Sequence, residues 1–278
     1  MTGTPAPRGA DTPRAGSRRQ RHLPVGVLLV AVALVLAACA PSSTPAQGGA
    51  GSRPSARTTL TVLAAASTRD AFTRIAASYE KAHPGVTVRL GFGGSSTLVD
   101  QVRAGAPADV LATASTTSMH LASGAVDPPV IFARNRLALV VPRANPAGIH
   151  SVADLADPKV RLVMCQPQVP CGATARTLLA RAGVKARPVS LEPDVSATVT
   201  MVRLGEADAG FVYVTDLRAA GDQLAAVPLP PRLAVWTDYP IAVVTASPHR
   251  AQAAAFVRAV TGPDGQAVLR AAGFAPPR

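Results

Sequence analysis

Hydrophobic and polar residues follow two different periods in the first half of the chain, and each period predicts one type of element. Residues 60–65 are a short apolar run, and residues 86–92 alternate apolar and polar side chains as a strand does. Between them, residues 71–79 repeat apolar side chains at the spacing of one helical face. A second helical stretch at 97–104 and a third strand at 109–114 continue the order. Strands that alternate with helices favour a largely parallel sheet with helices on both faces.

Residues 137–142 are a predicted strand that leads away from this first unit, after which the same alternation begins again. The second unit has predicted strands at 160–164, 189–191 and 210–213, and predicted helices at 173–182 and 195–204. A returning strand at 241–244 precedes two terminal helices, at 251–260 and 264–272, which we expect to pack on the first unit. We therefore predict an α/β fold of two lobes, with lobe 1 at 58–137 plus 241–278 and lobe 2 at 138–240.

The start of the chain has the features of an export signal. Several arginines precede an uninterrupted apolar run at 25–38, whose 14 residues are too few for a bilayer-crossing helix, which needs about 20. The run ends in Leu-Ala-Ala-Cys at 36–39, which resembles the bacterial lipobox. We expect residues 1–38 to be a lipoprotein signal peptide and Cys39 to carry a lipid on the outer face of the cell membrane. The alternatives are a stray cysteine at the end of a signal peptide and an N-terminal anchor helix.

Composition and charge narrow the classes of ligand. Residues 39–57 are rich in Pro, Ser, Gly and Ala, and this composition predicts a flexible tether. The whole chain carries a net charge of +12, and because five Arg and one Asp precede Cys39, +8 remains beyond it. Such a charge suits an anionic ligand. It does not favour nucleic acid, because the arginines are scattered and no aromatic side chains are interleaved with them to stack on bases.

Two further cysteines, Cys165 and Cys171, have five residues between them. In an oxidising compartment we expect them to form a disulfide, and free thiols are the alternative. Their spacing is not that of redox or zinc pairs, and no His or acidic residue nearby completes a metal site. Asp109 and Asp194 also lack ligand partners nearby in the sequence, so we expect both to be structural carboxylates.

Two predicted strand-to-helix junctions could bind an anion. Ser67 follows the first strand with Asp70 three residues later, which is the spacing of a helix capping box. Alternatively, the Ser67 hydroxyl and the first-turn N–H groups could face an anion. The sequence Gly-Gly-Ser-Ser-Thr at 93–97 follows the second strand and would let an anion approach backbone donors. Taken alone, the cap is the simpler interpretation of Ser67, and a glycine pair is weak evidence for an anion site.

Together these segments resemble the periplasmic molybdate-binding proteins of ABC transporters. In the first unit the resemblance lies in TVLAAAS at 61–67, FGGSSTL at 92–98 and GAPADV at 105–110. In the second unit it lies at 169–172, 193–195, 211–213 and 239–243. It implies a two-lobed type II periplasmic-binding-protein fold, with the ligand in the cleft between the lobes.

The resemblance also implies a ligand, a partner and a set of contacts. The family's ligand serines fall on Ser67 and Ser95, its backbone N–H contacts on Cys171 and Val195, and its phenolic hydroxyl on Tyr213. The ligand would be the molybdate or tungstate oxyanion, passed to the permease subunits of an ABC importer by a monomeric protein without a cofactor or enzymatic activity. Neutral donors are sufficient to hold a buried dianion, because each hydrogen bond that they donate to a charged group contributes about 1.5–3 kcal/mol.

The sequence leaves other functions open. The same fold could bind another oxyanion, such as sulfate or phosphate. A bilobed enzyme would need a nucleophile with a base in reach, but neither Ser67 nor Ser95 lies in a G-x-S-x-G elbow, and the matched segments contain no His. The lipid anchor would permit an adhesion or sensory module, which the loops do not indicate. We expect the lobes to close over the ligand by hinges near 135–139 and 239–241.

Overall fold

The structure is a computed structural model that describes residues 57–278. The predicted signal peptide at 1–38, the Cys39 lipidation site and the predicted tether as far as residue 56 lie outside the described residues. No helix in the described part of the chain is both long and apolar enough to cross a membrane.

Residues 57–278 form nine strands and eight α-helices. The strands are β1 (Thr58–Ala65), β2 (Val86–Gly93), β3 (Val110–Ala112), β4 (Val130–Pro142), β5 (Leu162–Cys165), β6 (Ser190–Glu192), β7 (Ala209–Tyr213), β8 (Leu224–Val227) and β9 (Trp236–Val243). The helices are α1 (Arg69–Ala82), α2 (Ser95–Arg103), α3 (Thr116–Leu121), α4 (Pro170–Ala182), α5 (Val195–Arg203), α6 (Val214–Ala220), α7 (Arg250–Thr261) and α8 (Pro263–Ala271). Every predicted element is present, and the sequence patterns missed α3, α6, β8 and the first half of β4.

Strand β4 joins two groups of strands into one continuous sheet, in the order β2-β1-β3-β9-β4-β7-β5-β6, with β8 also paired to β4. Residues 130–136 of β4 pair with β9, whereas residues 137–142 pair with β7 and β8. The strand therefore changes partners between Arg136 and Leu137, at the centre of the predicted hinge. We call the β1, β2, β3 and β9 side the first half and the β5, β6, β7 and β8 side the second half.

Paired strands are parallel within the interior of each half, whereas strands at the junction between the two halves are antiparallel to their neighbours. Strand β1 is parallel to β2 and β3, and β5 is parallel to β6 and β7. The antiparallel pairs of named strands all involve β4 or β9, by which the chain leaves the first half and returns to it. The predicted two-lobed α/β fold is confirmed, and its sheet as a whole is mixed because these two crossing strands run against their neighbours.

Helix α1 buries the face that its periodicity predicts. Its buried residues are Ala71, Phe72, Ile75, Ala76 and Tyr79. The ring of Phe72 lies 5.5 Å from that of Phe132 in β4 and 6.3 Å from that of Phe256 in α7. Full burial of a Phe side chain contributes about 1.5–3 kcal/mol. These contacts and those of α8 hold the C-terminal helices against α1, the position expected from the sequence.

Candidate functional site

The five residues expected to contact a ligand lie on the wall of one small cavity: Ser67, Ser95, Cys171, Val195 and Tyr213. The rest of the wall consists of Ala65, Ala66, Gly93, Gly94, Ala114, Val169, Pro170 and Asp194. None of these described lining residues has a positively charged side chain. Both halves contribute to the wall, so the cavity lies between them.

Strand register brings these residues together from distant parts of the sequence. In the first half, Ala65 at the end of β1 is the register partner of Gly93 at the end of β2. In the second half, Cys165 at the end of β5 is the partner of Glu192 at the end of β6. Loops that follow parallel strands start at the same edge of the sheet, which is where open α/β sheets bind ligands. The register therefore places the loops of each half side by side at the cavity.

Ser67 does not cap a helix. It lies in a short 3₁₀ turn, and α1 begins two residues later, at Arg69, with no side-chain cap hydrogen bond. Its Oγ is 2.8 Å from the hydroxyl of Tyr239, which in turn lies 3.4 Å from Nδ2 of Asn135. Because the Asn135 amide N–H can donate to Tyr239, the Tyr239 hydroxyl can donate to Ser67. When Tyr239 is the donor of this hydrogen bond, the Ser67 hydroxyl hydrogen is available to the cavity.

Ser95 is the first residue of α2 and is almost fully buried. Its Oγ accepts a hydrogen bond from the backbone N–H of Ala114 at 2.9 Å. Since that bond uses an oxygen lone pair, the Ser95 hydroxyl hydrogen is free to donate to a ligand. Ser95 is therefore held in place through its oxygen atom while it keeps a donor, and the same is true of Ser67 when Tyr239 donates to it.

Three helices begin at the cavity wall: α2 at Ser95, α4 at Pro170 and α5 at Val195. The first N–H groups of a helix have no acceptor within it, and the helix dipole gives them a partial positive charge. Asp194 caps α5 by accepting the Ala197 N–H at 2.9 Å, which confirms a structural role for this carboxylate. The N–H groups of Cys171 and Val195 are among those without an intrahelical acceptor. The three helix starts therefore direct partial positive charge at the cavity, and none of the described lining residues has a cationic side chain.

Tyr213 ends β7 at the cavity wall, with only 1% of its surface exposed. Its hydroxyl is the one buried side-chain polar atom among the described residues that has no hydrogen-bond partner. Burial raises the pKa of Tyr213, so the phenol stays protonated and remains a donor at neutral pH. A buried donor without a partner costs about 1–3 kcal/mol, and an acceptor in the cavity would remove that cost.

Asp216 lies behind Tyr213 and was not singled out by the sequence patterns. Its Oδ2 accepts the backbone N–H of Tyr213 at 2.9 Å. Burial raises the pKa of Asp216 to about 7; the hydrogen bond from Tyr213 opposes this shift, and the charges of Asp194 and Asp70 add to it. This carboxyl therefore changes its charge near neutral pH, directly beside a residue of the cavity wall.

Cys165 and Cys171 are at disulfide distance, with Cα atoms 5.7 Å apart. Cys165 ends β5 and Cys171 lies in the first turn of α4, so the pair spans the loop that enters the cavity wall. Gly172 follows, and a Cβ at this position would overlap the backbone carbonyls of Cys165 and Gln166. The loop is therefore folded tightly over the start of α4.

The remaining candidate residues have structural positions. Asp109 accepts the Thr61 N–H at 2.7 Å and the Ser247 hydroxyl at 2.6 Å, so it joins β1 to the C-terminal part of the chain, as expected of a structural carboxylate. None of the histidines in residues 57–278 lines the cavity, and His83 stacks on Tyr79 at 4.0 Å. Residues 57–278 contain no cluster of three or more His, Cys, Asp or Glu side chains that could hold a metal ion.

The sequence patterns missed two residues that hold Ser67 of the cavity wall in place. Tyr239 was assigned only to the returning strand, but its hydroxyl contacts Ser67. Asn135 was assigned only to the hinge, but its side chain contacts Tyr239 and donates to Thr215 Oγ1 at 2.9 Å. Their sequence separations from their partners are 172, 104 and 80 residues, so no local pattern could reveal these contacts.

Residues 60–275 match the family model of the bacterial extracellular solute-binding proteins. The chain is 38% identical over 258 residues to the molybdate-binding protein ModA of Mycobacterium tuberculosis strain H37Rv, and the match covers 92% of this chain and 98% of the relative.

Solved structures show the same fold. The periplasmic molybdate-binding protein of Azotobacter vinelandii matches with a TM-score of 0.69 at 20% identity, over 79% of this chain and 100% of that one. The sulfate-binding protein SubI of Mycobacterium tuberculosis matches with a TM-score of 0.69 at 21% identity, over 79% and 87% of the two chains. With the family match and the 38% identity over nearly the whole length, the conclusion is that this chain belongs to the bacterial extracellular solute-binding proteins.

Proposed function

We propose that this protein captures molybdate or tungstate outside the cytoplasm and delivers it to the permease subunits of an ABC importer. The observation that carries the proposal is the Tyr213 hydroxyl, a fully buried donor on the cavity wall without a partner among the described residues. A ligand with acceptor atoms would complete this site. The family match and the molybdate-binding relative support the same conclusion.

The arrangement of donors suits a tetrahedral dianion. Ser67 and Ser95 offer hydroxyls from the first half, while Tyr213 offers its hydroxyl from the second half. The N–H groups of Cys171 and Val195 add donors at two helix starts. Each hydrogen bond to a charged acceptor contributes about 1.5–3 kcal/mol, so a few such bonds suffice for tight binding. Since every donor is neutral, the empty cleft can open without exposing unpaired charge.

We also propose that the two halves close over the ligand as lobes, at 58–137 plus 241–278 and at 138–240. The cavity wall comes from both, and β4 changes partners at Leu137, within the predicted hinge. A disulfide between Cys165 and Cys171 would keep the α4 entry loop in its binding conformation.

The proposal extends to the part of the chain outside the described residues. A lipid on Cys39 would attach the protein to the outer face of the cell membrane, and residues 39–57 would tether the binding domain to it. The lipobox-like sequence at 36–39 and the extracellular family support this position. Mass spectrometry of the protein purified from membranes would detect the diacylglycerol on Cys39, and a mature protein without this mass would exclude it.

Calorimetric titration of the full chain with molybdate, tungstate, sulfate and phosphate tests the ligand. We expect one site that binds molybdate and tungstate more tightly than the other two anions. Ser95→Ala should weaken binding about tenfold or more, because it removes one charge-assisted hydrogen bond. Ser123→Ala, at an exposed serine outside the cavity, is the matched control. Tighter binding of sulfate or phosphate would contradict the ligand, and failure to bind any of the four would contradict the class of ligand.

A further inference from the structure

A second, larger cavity lies beside the candidate site. It is a groove of about 410 Å³ between α1 on the first half and α5 and α6 on the second. Ala66 and Ser67 border both the groove and the small cavity, so the two spaces meet at Ser67. The groove is therefore placed to receive a ligand that is on its way to the cavity.

The walls of the groove carry arginines, whereas the described lining of the small cavity carries none. Arg69 and Arg74 come from α1, Arg203 from α5 and Arg218 from α6. All four are exposed, and in the described part of the chain none is within ion-pair distance of a carboxylate. The guanidinium of Arg69 lies 4.5 Å from the ring centroid of Phe92, one residue before the glycine pair of the cavity wall.

Two acidic residues also border the groove and offset part of this charge. Asp70 is exposed, whereas Asp216 is buried. Because burial raises the pKa of Asp216 to about 7, this carboxyl is only partly ionised at neutral pH. Four permanent positive charges thus face fewer than two full negative charges, and the groove remains positive.

We propose that this arginine-lined groove collects the anionic ligand and raises the rate at which it reaches the cavity. The inference rests on the proposed function, since it requires an anion as ligand. Clefts lined by charge of one sign can raise association rates by about 10- to 1000-fold at low ionic strength. Exposed guanidinium groups act over roughly 8 Å at physiological salt. The arginines would therefore govern arrival, while the neutral donors of the cavity govern how long the ligand stays.

The effect of the arginines on association can be separated from the effect of the cavity donors on dissociation, because the arginines are not part of the cavity wall. Removing a groove charge should slow association and leave dissociation unchanged, since the bound ion would not contact these side chains. Removing a charge elsewhere changes the net charge of the protein equally but leaves the local field in the groove intact. Arg89 and Arg176 are suitable controls, because both are exposed, form no ion pair among the described residues and lie outside the groove.

The test is stopped-flow fluorescence of the full chain on mixing with molybdate, over a range of salt concentrations. The variant Arg74→Gln/Arg203→Gln should associate about three- to tenfold more slowly than the control Arg89→Gln/Arg176→Gln at low salt. The difference should shrink towards 1 M salt, where screening is nearly complete. Dissociation rates should agree between the two variants.

The possible outcomes separate this inference from the proposed function. Association rates that are equal in the two double variants would overturn the role of the groove while leaving the ligand assignment intact. The role of the groove would also be overturned if Arg74→Gln/Arg203→Gln lost affinity only through faster dissociation. The same holds if wild type bound a second molybdate per chain and this variant did not. A wild-type chain that binds no molybdate would overturn the proposed function and the groove's role with it.

Discussion

Gly94 and Pro193 approach so closely that a Cβ built on Gly94 would overlap the carbonyl oxygen of Pro193. Gly94 precedes α2 in the first half, and Pro193 precedes the Asp194 cap of α5 in the second. The starts of two cavity-lining helices therefore meet directly across the cleft, and only a residue without a side chain permits this contact.

Gly94→Ala is expected to keep the two halves apart and to weaken molybdate binding at least tenfold, because donors from the two halves could no longer reach one ion. Thermal stability should change little, since the halves can separate slightly without unfolding. Calorimetry measures the affinity, and small-angle scattering with and without ligand measures closure. Gly93→Ala is the control, because a Cβ there would lie 3.5 Å from Leu98, an ordinary contact. Equal affinities of the two variants would show that the contact does not limit closure.

Tyr213→Phe should separate ligand affinity from stability. The variant removes a buried hydroxyl that has no partner among the described residues, so the ligand-free protein should be as stable as wild type or more stable, by up to about 1–3 kcal/mol. Molybdate affinity should fall about 10- to 100-fold, the value of one charge-assisted hydrogen bond. Urea unfolding and calorimetry measure the two quantities.

Tyr239→Phe provides the comparison for Tyr213→Phe. Its hydroxyl contacts Ser67 and Asn135, so its loss removes one hydrogen bond from each of two buried side chains and should lower the stability of the ligand-free protein. If Tyr213→Phe destabilised the ligand-free protein to the same extent and left affinity unchanged, the Tyr213 hydroxyl would have a structural role instead.

The raised pKa of Asp216 predicts how stability depends on pH. In the unfolded chain an Asp side chain titrates at about 3.9, and in the folded protein the pKa of Asp216 is about 7. The stabilising effect of its proton is thus complete below pH 4 and is lost as pH rises to 7, because only the unfolded state releases the proton in that range. Each pKa unit corresponds to about 1.4 kcal/mol, so the loss should reach a few kcal/mol.

Asp216→Asn tests this dependence, since the amide oxygen can still accept the Tyr213 N–H. The variant should match wild type near pH 4 and exceed its free energy of unfolding at pH 8. Asp100→Asn, at an exposed position of α2, serves as the control and should follow wild type at both pH values. Parallel curves for wild type and Asp216→Asn would show that this carboxyl does not titrate between the two pH values.

Reduction of the Cys165–Cys171 pair should loosen the start of α4. A bridge across so short a loop, with a sequence separation of 6, stabilises the folded protein by about 2 kcal/mol in the chain-entropy model. We expect a reducing agent to lower both the melting temperature and the molybdate affinity of wild type. The variant Cys165→Ser/Cys171→Ser should already have the lower values and should not respond to the reducing agent. A response of this variant equal to that of wild type would exclude the bridge as the cause.

Local periodicity predicted those parts of the fold that depend on neighbours in the sequence. The buried face of α1 is an example, because each of its apolar residues follows from the helical repeat. The interpretation of Ser67 as a helix cap was wrong. Asp70 does lie three residues after Ser67, as in a capping box, but a 3₁₀ turn intervenes and the helix begins only at Arg69. Helices α3 and α6 have only six and seven residues, too few for a repeat to be visible.

The position of the candidate site required more than local patterns. The resemblance indicated five residues that the structure brings together on the cavity wall. The side chains that hold Ser67 in place, in contrast, reach it through pairing of strands that are distant in the sequence. Tyr239 reaches Ser67 only because β9 pairs with β3, which pairs with β1. Such pairing follows from packing of the whole chain, and so neither the spacing of residues nor their composition indicates it.

Both ends of the described chain lie in the first half. Thr58 opens β1, and Ala275 exchanges backbone hydrogen bonds with Arg134 in the part of β4 that pairs with β9. Any attachment through the N-terminus would therefore fix only one half in space. Under the proposed function, the half that carries Cys171 and Tyr213 would remain free to move and release its ligand, so attachment to a surface and release of the ion need not compete.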